Sequence, residues 1–344
     1  MDATTVGVDL AKSIFEIALA DERGHIFERQ RLNRARFDRF FVNRAPCRIV
    51  MEACGSAHYH ARRLRDQGHE VCLLPAQYAR AYVRRNKTDA ADAAALIEAA
   101  RCPDIRPVPI KSVDHQALQQ MHRLRSQWMG ARTCRINFLR GCLREFGICV
   151  PLGPRRAIEA VRAALADPSG SVPALLHTSL LELLQEIEAL EQRCKHLDRE
   201  LKRLHEHDPV IECLLKIPGV GDLTATALRA SVVDIQRFPT ARHFASYLGL
   251  TSREHSSGER RRLGRISKQG DPYLRTLLIH GARSVLLAAR SAQRRGLSLD
   301  RLRTWALDLQ ERRGHNKAAV ALANKLARIV WATWRHERDF VSNP

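Results

Sequence analysis

The chain has 344 residues, with 57 Lys and Arg against 37 Asp and Glu, a formal charge of +20 and a pI near 10.3. So large a basic excess favours a polyanionic partner, and the length leaves room for two or three domains with real cores. Nine cysteines without a Cys-x-x-Cys pair argue against zinc sites and disulfides; no apolar run approaches membrane-spanning length, and the N-terminus lacks the basic then apolar layout of a signal peptide, so a soluble cytoplasmic protein without a membrane partner is expected.

Residues around 4–10, 13–20 and 25–32 read as three strands joined by short turns such as Asp21-Glu22-Arg23-Gly24, an antiparallel meander. A helix near 35–43 leads to a strand at 47–52, a helix near 57–67 to a strand at 70–74, and a further helix begins after Thr88, its expected N-cap. This β-β-β-α-β-α-β-α order allows the first and fourth strands to lie side by side, with Asp9 and Glu52 adjacent at their ends. Two more acids, Asp89 and Asp92, share one face of the Ala-rich helix in NKTDAADAAALIEAA.

Singly, a strand-end Asp is most often a cap, and a helical Asp pair a solvated face or a partner of the helix dipole. Jointly, the four resemble one metal site of an RNase H-like fold. Gathered carboxylates repel unless neutralised, and Mg2+ with all-oxygen ligands does so. Two such ions would activate an attacking oxygen and stabilise the leaving one at a phosphodiester. Residues 1–100 are nearly neutral, with 16 basic and 13 acidic groups, so the grip on nucleic acid is expected beyond them.

Residues 115–147 form a long amphipathic helix, and the stretch 123–165 carries nine basic groups and two acids, a face suited to phosphates if it is not simply solvated. PLGP at 151–154 is a breaker. From Leu180 the steps alternate three and four through Leu183, Ile187, Leu190, Cys194, Leu197, Leu201 and Leu204, a heptad seam expected to serve as a coiled-coil oligomerisation arm; an antiparallel pairing with residues 115–145 of the same chain is the competing expectation. In LLKIPGVGDLTATALRA, Gly219 and Gly221 bound a turn between two helices, read as a helix-hairpin-helix whose backbone N–H groups can approach a phosphate where no side chain blocks the way, with a plain αα-corner as the alternative. Residues 253–268 hold six basic groups and two acids around Ser256-Ser257-Gly258, where a serine could act as a nucleophile, although loop serines are usually turn formers.

VGVDLAK, IVMEACGSAH, NKTDAADA, IPGVGDLTA, FASYLGLTSREHSSG, RISKQGDPYLR and NKAAVALANKLARIVW together resemble, in order and spacing over nearly the whole chain, the DEDD transposases of bacterial insertion sequences, the insertion sequence 110 family. The resemblance implies a RuvC-like domain at 1–110, a basic helix and coiled-coil region at 111–207, and a helical transposase domain at 208–344 with the helix-hairpin-helix and a catalytic serine. It implies that Asp9, Glu52, Asp89 and Asp92 are the acidic tetrad and Ser257 the nucleophile. As partners it implies donor and target double-stranded DNA, a structured bridge RNA, and further copies of the chain, from dimer to tetramer. Ser252 and Cys54 depart from the residues common at their positions; neither is a proposed reacting group.

The expected activity is excision and insertion of the mobile element, with Arg260, Arg261, Arg262, Arg265 and Lys268 as phosphate or RNA contacts. Two alternatives remain at this level. A metal-dependent, junction-resolving endonuclease would use the acids with water and need no serine. A non-catalytic RNA- or DNA-binding protein would account for the charge but not for the acids.

Overall fold

A computed structural model describes residues 4–82, 88–167, 170–204 and 208–342. Asn86 and Lys87 of the NKTDAADA segment lie outside the described residues. The chain divides into two compact units, one ending at Asp114 and the other starting at His115.

The first unit is a five-stranded mixed sheet. Its elements are β1 (Thr5–Asp9), β2 (Ile14–Ala20), β3 (Ile26–Asn33), α1 (Arg34–Val42), β4 (Arg48–Glu52), α2 (Ala57–Asp66), β5 (Glu70–Leu74), the short α3 (Ala76–Ala79) and α4 (Asp89–Ala100). The strand order is β3-β2-β1-β4-β5, antiparallel from β3 to β1 and parallel from β1 to β5. The Asp21–Gly24 turn closes as its composition dictates, with Asp21 accepting from the N–H groups of Arg23 and His25 and Gly24 at φ +81°.

Side chains alternate across the strands. Val6, Val8, Phe15, Ile17, Leu19, Ile49 and Met51 pack on one face against Phe37, Phe41, Ala61 and Leu64 of α1 and α2. The other face carries small residues, and α4 lies on it: Ala18 and Ala20 meet Ala93 and Ile97, while Val50 meets Leu96 and Ala99. Gly7 belongs to this face. A Cβ there would stand 2.3 Å from the Ala93 carbonyl oxygen and 2.9 Å from the Ile97 side chain. The approach of α4 thus requires glycine.

The second unit is mostly helical: α5 (Val113–Arg144), which begins two residues before the boundary, α6 (Pro154–Ala166), α7 (Ala174–Arg203), α8 (Pro209–Leu215), α9 (Asp222–Val232), α10 (Ala241–Tyr247), the hairpin β6 (Ser252–Glu254) and β7 (Leu263–Ile266), α11 (Pro272–Arg294), α12 (Arg301–Arg313) and α13 (His315–His336). One core joins α8 to α13, centred on Leu228, Phe244, Leu278, Leu322 and Leu326.

The heptad seam is used inside the chain. Leu180, Leu184 and Ile187 of α7 pack with Ile136, Leu139 and Leu143 of α5 and with Ala157 and Val161 of α6. Arg125, Arg132 and Arg135 of α5 bond to Asp198, Glu191 and Glu186 of α7, in reversed order along the two helices. This is the antiparallel intramolecular pair, and it corrects the expectation of an oligomerisation arm: a same-chain helix covers the stripe because the linker through α6 returns the chain onto it. Leu204, the last seam residue, is 42% exposed, and Leu184 is buried where Leu183 was expected to be. The phosphate-binding reading of α5 is reduced for the same reason, since those three arginines already meet carboxylates.

Candidate active site

β1 ends at Asp9, and the period of two places Asp9 on the α4 face with Gly7. Thr88 caps α4, its hydroxyl accepting from Ala91 N–H, so Asp89 and Asp92 fall in the first turn, where the helix dipole favours negative charge. Arg29 of β3 donates to the Ala90 carbonyl at 2.8 Å and pins that turn. Carboxylate oxygens of Asp9, Asp89 and Asp92 lie within 4.8 Å of one another; Asp9 and Asp92 are half-buried and Asp89 is exposed.

Glu52 is not in this three-acid group. It ends β4 on the same sheet face, one position beyond the Val8–Met51 pair. Its influence is visible at Cys54, whose thiol pKa is raised first by burial and then by the charges of Glu52 and Asp9. The expected tetrad therefore consists of a tight triad with Glu52 beside it.

Sequence reasoning missed Glu16. Its Cα is paired with that of Asp9 across β1 and β2, which puts both side chains on one face, and like charges directly opposite are destabilising. Arg31 of β3 offsets this with an ion pair to Glu16 at 2.7 Å. The period of two in IFEIALA placed Glu16 on the Ala18 face, but only the register sets it opposite Asp9.

A divalent cation fits the triad. Around a Mg2+ ion, adjacent ligand oxygens lie about 3 Å apart and opposite ones about 4 Å apart, so the three carboxylates need only small rotations to share one ion. Hard oxygen donors without histidine or cysteine suit such a cation.

Ser257 lies in the second unit, at the tip of the β6–β7 hairpin. Ser257 and Arg260 exchange backbone hydrogen bonds of 3.3 and 3.2 Å around Gly258-Glu259, and Gly258 has φ +57°. A positive φ at the first central position is the condition that places glycine there in a two-residue hairpin. The adjacent serines differ. Ser256 Oγ donates to Glu254 Oε1 at 2.7 Å and accepts from Arg262 N–H at 3.1 Å. Among the described residues, Ser257 Oγ has no hydrogen-bond partner, and its side chain is exposed. Arg260, Arg261, Arg262, Arg265 and Lys268 are all exposed around this hairpin; Arg261 pairs with Glu254 at 3.5 Å, and Lys268 adopts φ +57° with its N–H on Gly249 O.

The two glycines of the α8–α9 turn have different reasons. Gly221 caps α9, and a Cβ there would meet open space. Gly219 has φ +83°, and its Cβ position lies 2.7 Å from Gly281 O in α11. The expectation that glycine at 219 clears a path for phosphate is thus corrected: it serves a backbone-to-backbone contact with α11.

Among the described residues no helix is long and apolar enough to cross a membrane. Residues 6–148 match a family model of DEDD type described as a transposase, and residues 211–296 match the one described as transposase, IS116/IS110/IS902 family. The chain is 44% identical over 338 residues to a probable family 20 transposase of Pseudomonas aeruginosa, covering 98% of both chains. It is 37% identical to the transposase for insertion sequence element IS1111A of Coxiella burnetii, covering 98% of this chain and 92% of that one. With the transposase for IS1328 of Yersinia enterocolitica it shares 34% identity over 96% of each. The first family match contains all four acids and the second contains Ser257, and relatives so similar extend through the helices between them: the chain belongs to the IS110 family of DEDD transposases, enzymes that mobilise their own insertion sequences.

Proposed function

We propose that this transposase cuts and rejoins DNA with a serine nucleophile and a metal-bound carboxylate site, guided to donor and target double-stranded DNA by a structured bridge RNA. The observation that carries the reading is the convergence of Asp9, Asp89 and Asp92, three hard anionic donors from a strand end and a helix start. Asp9, Asp89 and Asp92 would hold Mg2+, with Glu52 completing the set for a second ion. Bound there, the metal supplies Lewis acidity at the phosphate and neutralises charge that develops on it.

Ser257 Oγ attacks the scissile phosphorus. The Oγ–P bond forms as the P–O bond to the departing strand breaks; the hydroxyl proton is lost, and the departing oxygen gains one. One phosphodiester is exchanged for another, so the reverse step can rejoin strands without an external energy source. The freedom of the Ser257 hydroxyl, beside a Ser256 held by two hydrogen bonds, supports Ser257 as the attacking group. Gly221 at the open turn and Arg260, Arg261, Arg262, Arg265 and Lys268 around the hairpin are the candidate phosphate or RNA contacts; Gly219 acts through the fold. The working form is a homo-oligomer, from dimer to tetramer, in which acids and serine come from different copies.

The test is covalent trapping. Denaturing a magnesium-dependent reaction on DNA should leave protein attached to a strand end, and Ser257→Ala should leave none. Cleavage without an adduct in any trapping condition would favour attack by water and overturn the serine assignment.

A further inference from the structure

We infer that the groove between the β6–β7 hairpin and α13 is the track for the DNA strand whose phosphate is presented to Ser257. This rests on the serine reading above. The groove has a volume of about 1190 Å³. One wall is the hairpin itself, through Glu254, Arg261 and Leu263 to Ile266; the other is α13, with Lys317, Lys325 and Arg328 on the groove-lining side, and Arg242 of α10 adds a further cation.

The charge is uncompensated. Among the described residues, Arg242, Arg265, Lys317, Lys325 and Arg328 have no carboxylate within ion-pair distance. Glu254 is the one acid in the described lining, and it is already engaged by Ser256 and Arg261. Cations crowded without counter-charge are costly unless an anion arrives. Lys325 carries the cost: its ammonium sits 4.2 Å from the Trp305 ring, and its pKa is lowered by burial and then by Arg301 and Arg328. A phosphate backbone supplies the missing charge along the groove. Because the hairpin forms the wall and bears Ser257 at its tip, a strand lying in the groove is continuous with the strand that Ser257 attacks, which assigns DNA and not RNA to it.

Lys317, Lys325 and Arg328 changed together to Gln should reveal this in the full chain carrying Ser257→Ala, where no chemistry interferes. Binding of a fluorescein-labelled mixed-sequence DNA duplex, followed against salt, should weaken about tenfold or more, and the salt slope should shrink by roughly two to three, about one per lost phosphate contact. An RNA of the same sequence should bind as before, Lys195→Gln should change nothing, and Lys317→Arg with Lys325→Arg should keep the slope. Thermal melting verifies the fold. An unchanged DNA slope in folded protein overturns the inference, and an equal loss for RNA overturns the choice of DNA. Adduct formation is scored separately in the Ser257 protein: an adduct with an unchanged slope would leave the nucleophile standing and remove the groove, whereas the converse would remove only the nucleophile.

Discussion

The Cβ position of Gly7 lies 2.3 Å from the carbonyl oxygen of Ala93, inside any separation a real side chain tolerates. β1 and α4 are as close as their backbones permit, and this contact brings Asp9 within reach of Asp89 and Asp92. Gly7→Ala should push α4 off the sheet. Overpacking of this kind costs about 1–3 kcal/mol, readable by urea denaturation, and Mn2+ affinity followed by electron paramagnetic resonance should fall with it. Unchanged stability and unchanged Mn2+ binding would show that the helix can shift freely.

Asp9→Asn or Asp92→Asn should abolish strand cleavage and leave DNA binding largely intact, since the change removes an anionic metal ligand and little else. Glu52→Gln, outside the triad, should keep more Mn2+ affinity than either. Full magnesium-dependent cleavage by folded Asp9→Asn protein would sink the metal site.

Ser256→Ala removes one donor to Glu254 and one acceptor for Arg262 N–H, bonds worth about 0.5–1.5 kcal/mol each. The hairpin tip loosens, so the protein–DNA adduct should form more slowly, from about fivefold up to about a hundredfold if all of that energy reaches the barrier, but still form. An adduct that vanishes with Ser256→Ala and persists with Ser257→Ala would move the nucleophile by one residue.

Subunit sharing can be tested by complementation. Asp9→Asn and Ser257→Ala proteins, each inactive alone, should recover some cleavage when mixed, because mixed oligomers pair an intact acid cluster with an intact serine. No recovery under conditions shown to exchange subunits would place both halves in one chain. Since α5 covers the α7 seam within the chain, recovery on mixing would point to a joining surface other than that seam.

His122 gives a pH dependence. Its Nε2 lies 3.1 Å from Thr226 Oγ1 and its Nδ1 3.0 Å from the Tyr273 hydroxyl; since Thr226 donates to Asp222 O, the neutral ring donates from Nε2 and accepts at Nδ1. Burial, then Arg125, pushes its pKa from 6.5 down to about 4. The unfolded chain therefore binds the extra proton first: the stability is present in full above pH 6.5 and is lost as pH falls toward 4, by at most about 3 kcal/mol at 1.36 kcal/mol per pKa unit. Urea denaturation at neutral and acid pH should show this drop in the wild type and less of it in His122→Gln.

Much of the first unit was legible because its signals are local. Alternation and turn residues set β1 to β5 within a residue or two, and Thr88 announced α4. What escaped depends on register or on a partner far along the chain. Glu16 opposes Asp9 only through the β1–β2 pairing, and Gly7 matters only because Ala93 lies over it. The seam of α7 was visible as a pattern, but an amphipathic stripe does not name what covers it, and nothing local pairs Glu186 and Glu191 with Arg135 and Arg132 of α5. At the hairpin, the family resemblance singled out Ser257 of the two adjacent serines; that Ser256 is held by two hydrogen bonds was not readable from sequence, because it depends on the β6–β7 pairing.

Asp9 stands on the sheet while Asp89 and Asp92 stand on the helix laid over it, so a cation held among them would also be a clamp between two layers. Like charges across the β1–α4 contact would repel, and a bound cation would turn that repulsion into adhesion. Loading and folding are then one equilibrium, in which metal bound to the native form alone adds RT ln(1 + [metal]/Kd) to stability. The melting temperature of the intact chain should climb with magnesium concentration, and in Asp9→Asn it should stay flat.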